Sequence, residues 1–442
     1  MDQGLARGLT NYGDRDFAVY LRRSFARSMG YSTQSLAKAV VGIADSRSGF
    51  NNCHRHFPEL IEAVKRGVSA AGGLPIEFPT ISLGEVFLEP TSMLYRNLMS
   101  MDVEEMVRAQ PMDAVVLVGG CDKTVPAQLM GAASAGVPAI QLVAGPMMTG
   151  RGEGGRLRAC TDCRRFWGRY RAGQISKDEI DGIESRLATT AGTCAVMGTA
   201  STMACLAETL GMTLPGAPAI PAVHADRLRA AEATGEAAVR LGASRLTPDR
   251  ILTAPAFENA LRVLLAIGGS TNAIIHLTAI AGRAGVAISL DRLNAISDET
   301  PVLVDLKPSG DFYMEDFFNA GGLGAVLAEL RPQLHESCLT VTGETLGARL
   351  DAAPRYVDRG VIRPRSEPIL PVGGLVALFG TLAPGGAILK RSAAGARLFV
   401  TEAGGVVFRS LEGLWAGVRR CGGGSPRCWA GGCCDTRRHA CE

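Results

Sequence analysis

The chain has 442 residues, 47% of them apolar and 20% charged, which is the balance of an ordinary soluble globular protein of about two or three domains. A formal net charge of +3 is too small to argue for nucleic acid or an anionic membrane, and 5% aromatics gives no support for stacked-base recognition. The N-terminus, MDQGLARGLTNYGDRDF, carries charges throughout and lacks the apolar stretch of a signal peptide, so a cytoplasmic protein is expected.

In chain order, AVVGIADS (39–46) reads as a buried strand. FPELIEAVKRGVSAAGG (57–73) reads as a helix: Pro58 suits its first turn, Leu60, Ile61, Val64 and Val68 share a face, and Gly72 stops it. DAVVLVGG (113–120) is a strand, 126–136 a helix and VPAIQLVAG (137–145) a further strand. That βαβ unit predicts an α/β fold: a doubly wound, largely parallel sheet with helices on both faces. Residues 174–212 and 225–286 read as mostly helical, broken by the loop GGSTN (268–272).

Near residue 360 the sequence turns rich in Gly, Pro and β-formers, which predicts an incomplete β-rich, barrel-like second domain over 361–415 after an α/β domain over 1–360. Val372–Leu389 is uncharged and about long enough to span a bilayer, but its five glycines and Pro384 predict short strands and turns instead. The stretch 416–442 mixes Gly, Arg and Cys without helix or strand period. Its cysteines, 7, 5, 1 and 7 residues apart, match no zinc pattern, so it reads as a non-native tail.

Twelve cysteines in a chain this long, without a secretory leader, point to metal binding or catalysis rather than a disulfide scaffold. VVLVGGCDKTVPA (115–127) puts Cys121, Asp122 and Lys123 at the end of a buried strand, where open α/β sheets gather their ligands. A thiolate suits iron–sulfur clusters, zinc or copper(I), and a carboxylate suits magnesium or manganese. Their adjacency suggests two centres side by side; a buried cysteine beside a helix-capping aspartate is the plainer alternative. Cys53 precedes a helix in GFNNCHRHFPEL, Cys194 lies among small and hydroxyl residues in TTAGTCAVMGTASTMA, and Glu85 follows a glycine in EFPTISLGEVF. His54 and His56 are open to a ligand or substrate role, with the surface the expected place for His56. Cys160 and Cys163 form a C-x-x-C pair without a thioredoxin-like unit, and Cys163 reads as structural or pocket-forming; Cys205 and Cys338 read as buried apolar residues.

Taken together, NNCHRHFPELIEAVKRGV, GGLPIEFPTISLGE, PTSMLYRNLM, GGCDKTVPAQLMGAASAGVPAI, TDCRRFW, AGTCAVMGTASTMA and GGSTNAIIHL resemble the dihydroxy-acid dehydratase/phosphogluconate dehydratase family over about residues 15–415. The branched-chain branch typically has Pro-Cys-Asn at the first cysteine and Thr-Cys-Gly-Gly-Met-Tyr at the third. NCHRH and TCAVMGT instead look like the sugar-acid, arabinonate or xylonate, branch. The resemblance implies a 2Fe–2S cluster on Cys53, Cys121 and Cys194, and Mg²⁺ on Glu85, Asp122 and a carbamylated Lys123. It implies a hydro-lyase that dehydrates a small-molecule sugar acid to a 2-keto-3-deoxy acid, and a homo-oligomer. Two alternatives stand beside it: a branched-chain dihydroxy-acid dehydratase, and a catalytically dead remnant. Family members run further, through another magnesium carboxylate and a serine base whose motifs do not occur here, so a truncated or frameshifted product is expected and no catalytic base is assigned.

Overall fold

The computed structural model describes residues 3–9, 12–152, 155–157, 161–352 and 356–400, together with 402, 410, 412 and 413. Cys160 and the cysteines of the tail lie outside the described residues.

The central sheet has four parallel strands: β1 (Val40–Asp45), β2 (Leu74–Pro79), β3 (Ala114–Gly119) and β4 (Ala139–Val143), in the order β2-β1-β3-β4. Val41 pairs with Ala114 and Val115 with Ala139. Every residue of β1, β3 and β4 is buried, as expected of near-continuous apolar runs in a parallel sheet covered by helices. Helix α1 (Arg15–Ser28) precedes the sheet, and α2 (Phe57–Ala70), α3 (Arg96–Ala109) and α4 (Cys121–Ala135) make its three crossovers. Strand order reverses at β1: the chain moves to β2 on one side and then to β3 on the other. The crevice between the carboxyl ends of β1 and β3 is therefore the topological switch point, where such sheets bind ligands.

The remaining described α-helices follow in order: α5 (Thr161–Arg171), α6 (Lys177–Glu184), α7 (Thr199–Thr209), α8 (Ala225–Ser244), α9 (Pro248–Ile251), α10 (Ala254–Ala266), α11 (Asn272–Arg283), α12 (Leu290–Glu299), α13 (Met314–Asn319), α14 (Gly322–Leu330) and α15 (Leu346–Asp351). Thus 225–286 is mostly helical and the GGSTN loop leads into α11, whereas 174–212 is helical only over α6 and α7; the stretch 185–198 between them, which carries Cys194, is irregular. Val372–Leu389 forms part of an antiparallel strand pair, Leu375–Gly380 with Ala383–Lys390. Among the described residues no helix is long and apolar enough to cross a membrane. Val361, Ile362, Leu375 and Ala377 pack in the same core as the parallel strands. Cys205 and Cys338 are buried there, and burial pushes both thiols up.

One buried charge sets a pH dependence away from the sheet. Glu208 on α7 meets Arg349 at 3.5 Å, and its carboxylate accepts the Gly216 N–H at 2.9 Å. Burial outweighs both and raises its pKa to about 7 from 4.5. The folded state thus binds the extra proton between those values, so stability falls as pH rises from about 4.5 through about 7. Glu208→Gln keeps an acceptor for Gly216 and is expected to remove that slope, on the order of 3 kcal/mol in full. Urea midpoints from pH 5 to 8 check this; a variant as pH-sensitive as the parent would show that Glu208 is not the group responsible.

Candidate active site

Hydrogen bonds tie the three cysteine segments to the chain just beyond the carboxyl ends of β1, β3 and β4. Cys53 lies in a short 3-10 turn, Asn52–His54, just before α2. The next residue, His54, is buried and bridges two strand ends: Gly120 N–H donates to its Nε2 at 3.1 Å, and its Nδ1 lies 2.7 Å from the Ser46 carbonyl. A backbone N–H only donates, so Nε2 is the acceptor and Nδ1 carries the proton. Burial lowers the His54 pKa to about 4, so the ring is neutral at physiological pH and stacks on Phe57 at 4.2 Å.

His56 corrects the expectation of a surface residue. It is buried, and its Nε2–H donates to the Ala144 carbonyl at 2.9 Å, while Nδ1 has no partner among the described residues. Ala144 N–H in turn donates to the Gly119 carbonyl at 2.9 Å. On the other side of β4, Thr193 N–H donates to the Gly145 carbonyl at 2.9 Å, and Met147 N–H donates to the Thr193 carbonyl at 2.8 Å. Each cysteine is therefore one residue from a group bonded at the ends of β3 and β4: Cys53 beside His54, Cys121 beside Gly120, Cys194 beside Thr193. A Cβ on Gly120 would lie 2.4 Å from that of Ala144, so only glycine lets these strand ends approach.

Cys53 and Cys121 are buried and Cys194 is half-buried. Cys121 is the first residue of α4 and has φ +64°, one of three non-glycine residues with positive φ among those described. The thiol-bearing segments converge, but among the described residues no three His, Cys, Asp or Glu side chains stand close enough together to hold a metal ion.

Beside this cradle lies a buried charged cluster. Lys123 Nζ donates to both oxygens of Glu85 at 2.9 Å and stands 3.7 Å from Asp122 Oδ2. Ser92 Oγ also donates to Glu85. Glu85 arrives on a loop whose Gly84 passes the backbone of Phe50, where a Cβ would lie 2.4 Å from the carbonyl oxygen. Asp122 accepts the Ala200 N–H from the first turn of α7, which ties α4 to the segment carrying Cys194. Burial raises the Asp122 pKa to about 6; Lys123 lowers it and Glu85 raises it. Two acids and one amine thus share a site that solvates none of them well, a setting that a further positive charge would relieve.

Two nearby residues escaped the sequence reading, although their segments carried the family resemblance. Arg96, first in α3, donates from Nη1 to His276 Nδ1 at 3.0 Å, and His276 on α11 is fully buried. Only the spacing within YRNLM and NAIIHL pointed to them, and nothing in one sequence pairs residues 180 positions apart. The GGSTN loop leading to His276 is bonded to the start of α7: Asn272 Nδ2 donates to Thr199 Oγ1 at 3.2 Å, and Ser270 N–H to Thr202 Oγ1 at 3.1 Å. Cys163 lies on α5, with Phe166 in a separate small apolar cluster.

A cavity of about 620 Å³ opens beside the Cys53 turn, lined by Arg47, Ser48, Asn51, Asn52, Arg55 and Phe87 among others. Two arginines and two asparagines border it, with Phe87 and Pro58 among its apolar walls.

The profile described as dihydroxy-acid/6-phosphogluconate dehydratase N-terminal matches residues 38–349, and its C-terminal counterpart matches 360–422. An L-arabonate dehydratase of Azospirillum brasilense is 46% identical over 91% of this chain and 69% of its own length. A 6-deoxy-6-sulfo-D-gluconate dehydratase of Pseudomonas putida is 43% identical over 86% of this chain and 66% of its own length. A dihydroxy-acid dehydratase of Dehalococcoides mccartyi is 39% identical over 88% of this chain and 72% of its own length.

Proposed function

The chain belongs to the dihydroxy-acid/6-phosphogluconate dehydratase family, and from that premise we propose that it is a hydro-lyase removing water from a sugar acid to give a 2-keto-3-deoxy acid. Cys53, Cys121 and Cys194 would hold a 2Fe–2S cluster, and Glu85, Asp122 and a carbamylated Lys123 would hold Mg²⁺. The observation that carries this reading is the pairing of two unlike donor sets at the carboxyl end of one sheet: three thiol segments bonded beyond the ends of β3 and β4, and a largely buried carboxylate–amine–carboxylate cluster beside them.

The residues present fit both groups in donor chemistry. Thiolates are soft ligands suited to iron, and carboxylates are hard ligands suited to magnesium. The raised pKa of Asp122 is what a dication would reverse. When bound, the two metal groups supply Lewis acids, one for the departing C3 hydroxyl and one for charge developing at the carboxylate end. The chain's own residues orient the ligands. Ser92 fixes Glu85, Ala200 N–H fixes Asp122, and neutral His54 locks the Gly120 turn that carries Cys121. The sugar-acid relatives favour a hydroxylated acid over a branched alkyl one. A cytoplasmic setting agrees with thiolates that must stay reduced, and a homo-oligomer is part of the same proposal.

Protein purified without oxygen is expected to contain about two iron and two sulfide per chain, to absorb in the visible range, and to dehydrate one or more aldonates in a panel. Preference for a branched 2,3-dihydroxy acid would favour the second reading. Iron and sulfide at stoichiometry with no dehydration of any acid would favour a non-catalytic chain, and absence of both would remove the cluster from the proposal.

A further inference from the structure

His276 is fully buried on α11, a helix that packs on α4, and Lys123 lies near enough for its charge to act on the ring. Arg96 Nη1 approaches His276 Nδ1 at 3.0 Å. A guanidinium has no acceptor, so Nδ1 must accept and the neutral ring must carry its proton on Nε2. That Nε2–H has no partner among the described residues. A buried N–H without an acceptor forfeits its solvation, and native proteins rarely leave one unmet without a functional reason. Arg96, bonded to the ring, and Lys123, on the helix that α11 packs against, are cations, so an anionic oxygen is the acceptor that suits this donor best.

We propose that His276 is a positioning residue for Lys123: Arg96 locks the ring with Nε2–H as donor, and that donor holds an oxygen of a carbamate on the Lys123 side chain. The inference rests on the magnesium reading above. In the modification, the lone pair of neutral Nζ forms an N–C bond to carbon dioxide, a C=O pair moves onto oxygen, and the amine proton leaves to solvent. Nothing is oxidised or reduced, and a cationic side chain becomes an anionic one. The unused donor then gains its acceptor, and three anionic groups, Glu85, Asp122 and the carbamate, face one dication.

The test uses the full chain with ¹³C-bicarbonate and Mg²⁺, read by the carbamate carbon resonance and by calorimetric Mg²⁺ affinity, without turnover. His276→Leu removes both ring nitrogens, whereas His276→Gln keeps a donor near the Nε2 position. The parent and H276Q are expected to show the carbamate signal, and H276L to lose most of it and bind Mg²⁺ about 10–100-fold more weakly. Arg96→Met unlocks the tautomer from a half-buried position without touching the buried ring, and its Mg²⁺ constant should also rise. An unchanged constant in R96M overturns the proposal whatever H276L does, as does a full carbamate signal in H276L. A parent with no carbamate signal overturns it together with the assignment of Lys123, so the two failures are distinguishable.

Discussion

Replacing Lys123 with methionine is expected to destabilise the metal-free protein by about 3–5 kcal/mol and to abolish dehydration. The stability loss follows from charge rather than volume. Methionine fills much the same space, but Lys123 Nζ donates to both Glu85 oxygens and is the nearest cation to Asp122. Removing one member of a buried ion pair leaves the other charged and unsolvated, which is where the large penalty arises. The carboxylates respond by taking up protons, so the loss should shrink as pH falls. Glu85→Gln added to K123M should therefore recover most of the stability while restoring no activity, because two hard ligands are then gone. Urea unfolding of both single variants and the double, beside a dehydration assay, gives the coupling directly. A K123M protein as stable as the parent would mean that the cluster is better solvated than its burial implies. Activity within tenfold of the parent would remove Lys123 from the metal site, since losing a Lewis acid should lower the rate by about 10³-fold or more.

Much of this site was legible before the fold because its parts are local. The runs at 39–46, 113–120 and 137–145 became β1, β3 and β4, since a strand buried on both faces needs an unbroken apolar run. The strand β2, Leu74–Pro79, carried no such signal. Prolines occupy its second and last positions, and only Leu74 and Phe78 are buried. The helix expected from 126 begins at Cys121, because Gly120 rather than Pro126 sets its start. Pro126 sits inside the helix, where its missing N–H leaves the Asp122 carbonyl without its usual i+4 donor. Glu85 and Asp122 were singled out as carboxylates near glycines and Lys123 through the family resemblance, and the structure brings the three side chains within hydrogen-bond or ion-pair reach. His56 and His276 were not. Their roles depend on partners 88 and 180 residues away, the Ala144 carbonyl and Arg96, and no local pattern encodes such a pairing. The boundary near 360 and the tail from 416 remain readings of composition, the second outside the described residues.

Cys121 offers the sharper separation of folding from function. Its φ of +64° is a conformation that costs an L-residue with a side chain roughly 1–2 kcal/mol and glycine almost nothing. Simple stability would favour glycine there, after two glycines already in the turn. A thiol held at such a position is explained if the thiolate is a ligand. Cys121→Ala and Cys121→Gly both remove the sulfur, and both are expected to lose the visible absorbance of the cluster and at least about 10³-fold of the dehydration rate. The two differ only in Cβ. In the metal-free state C121G should therefore be more stable than C121A by about 1 kcal/mol, the reverse of the usual order inside a helix, where glycine is the worse residue by a similar amount. Iron content, absorbance and urea midpoints of the pair decide it. Full iron in either variant would take Cys121 out of the ligand set, and C121A the more stable of the two would show that the backbone at residue 121 is not held in the left-handed region.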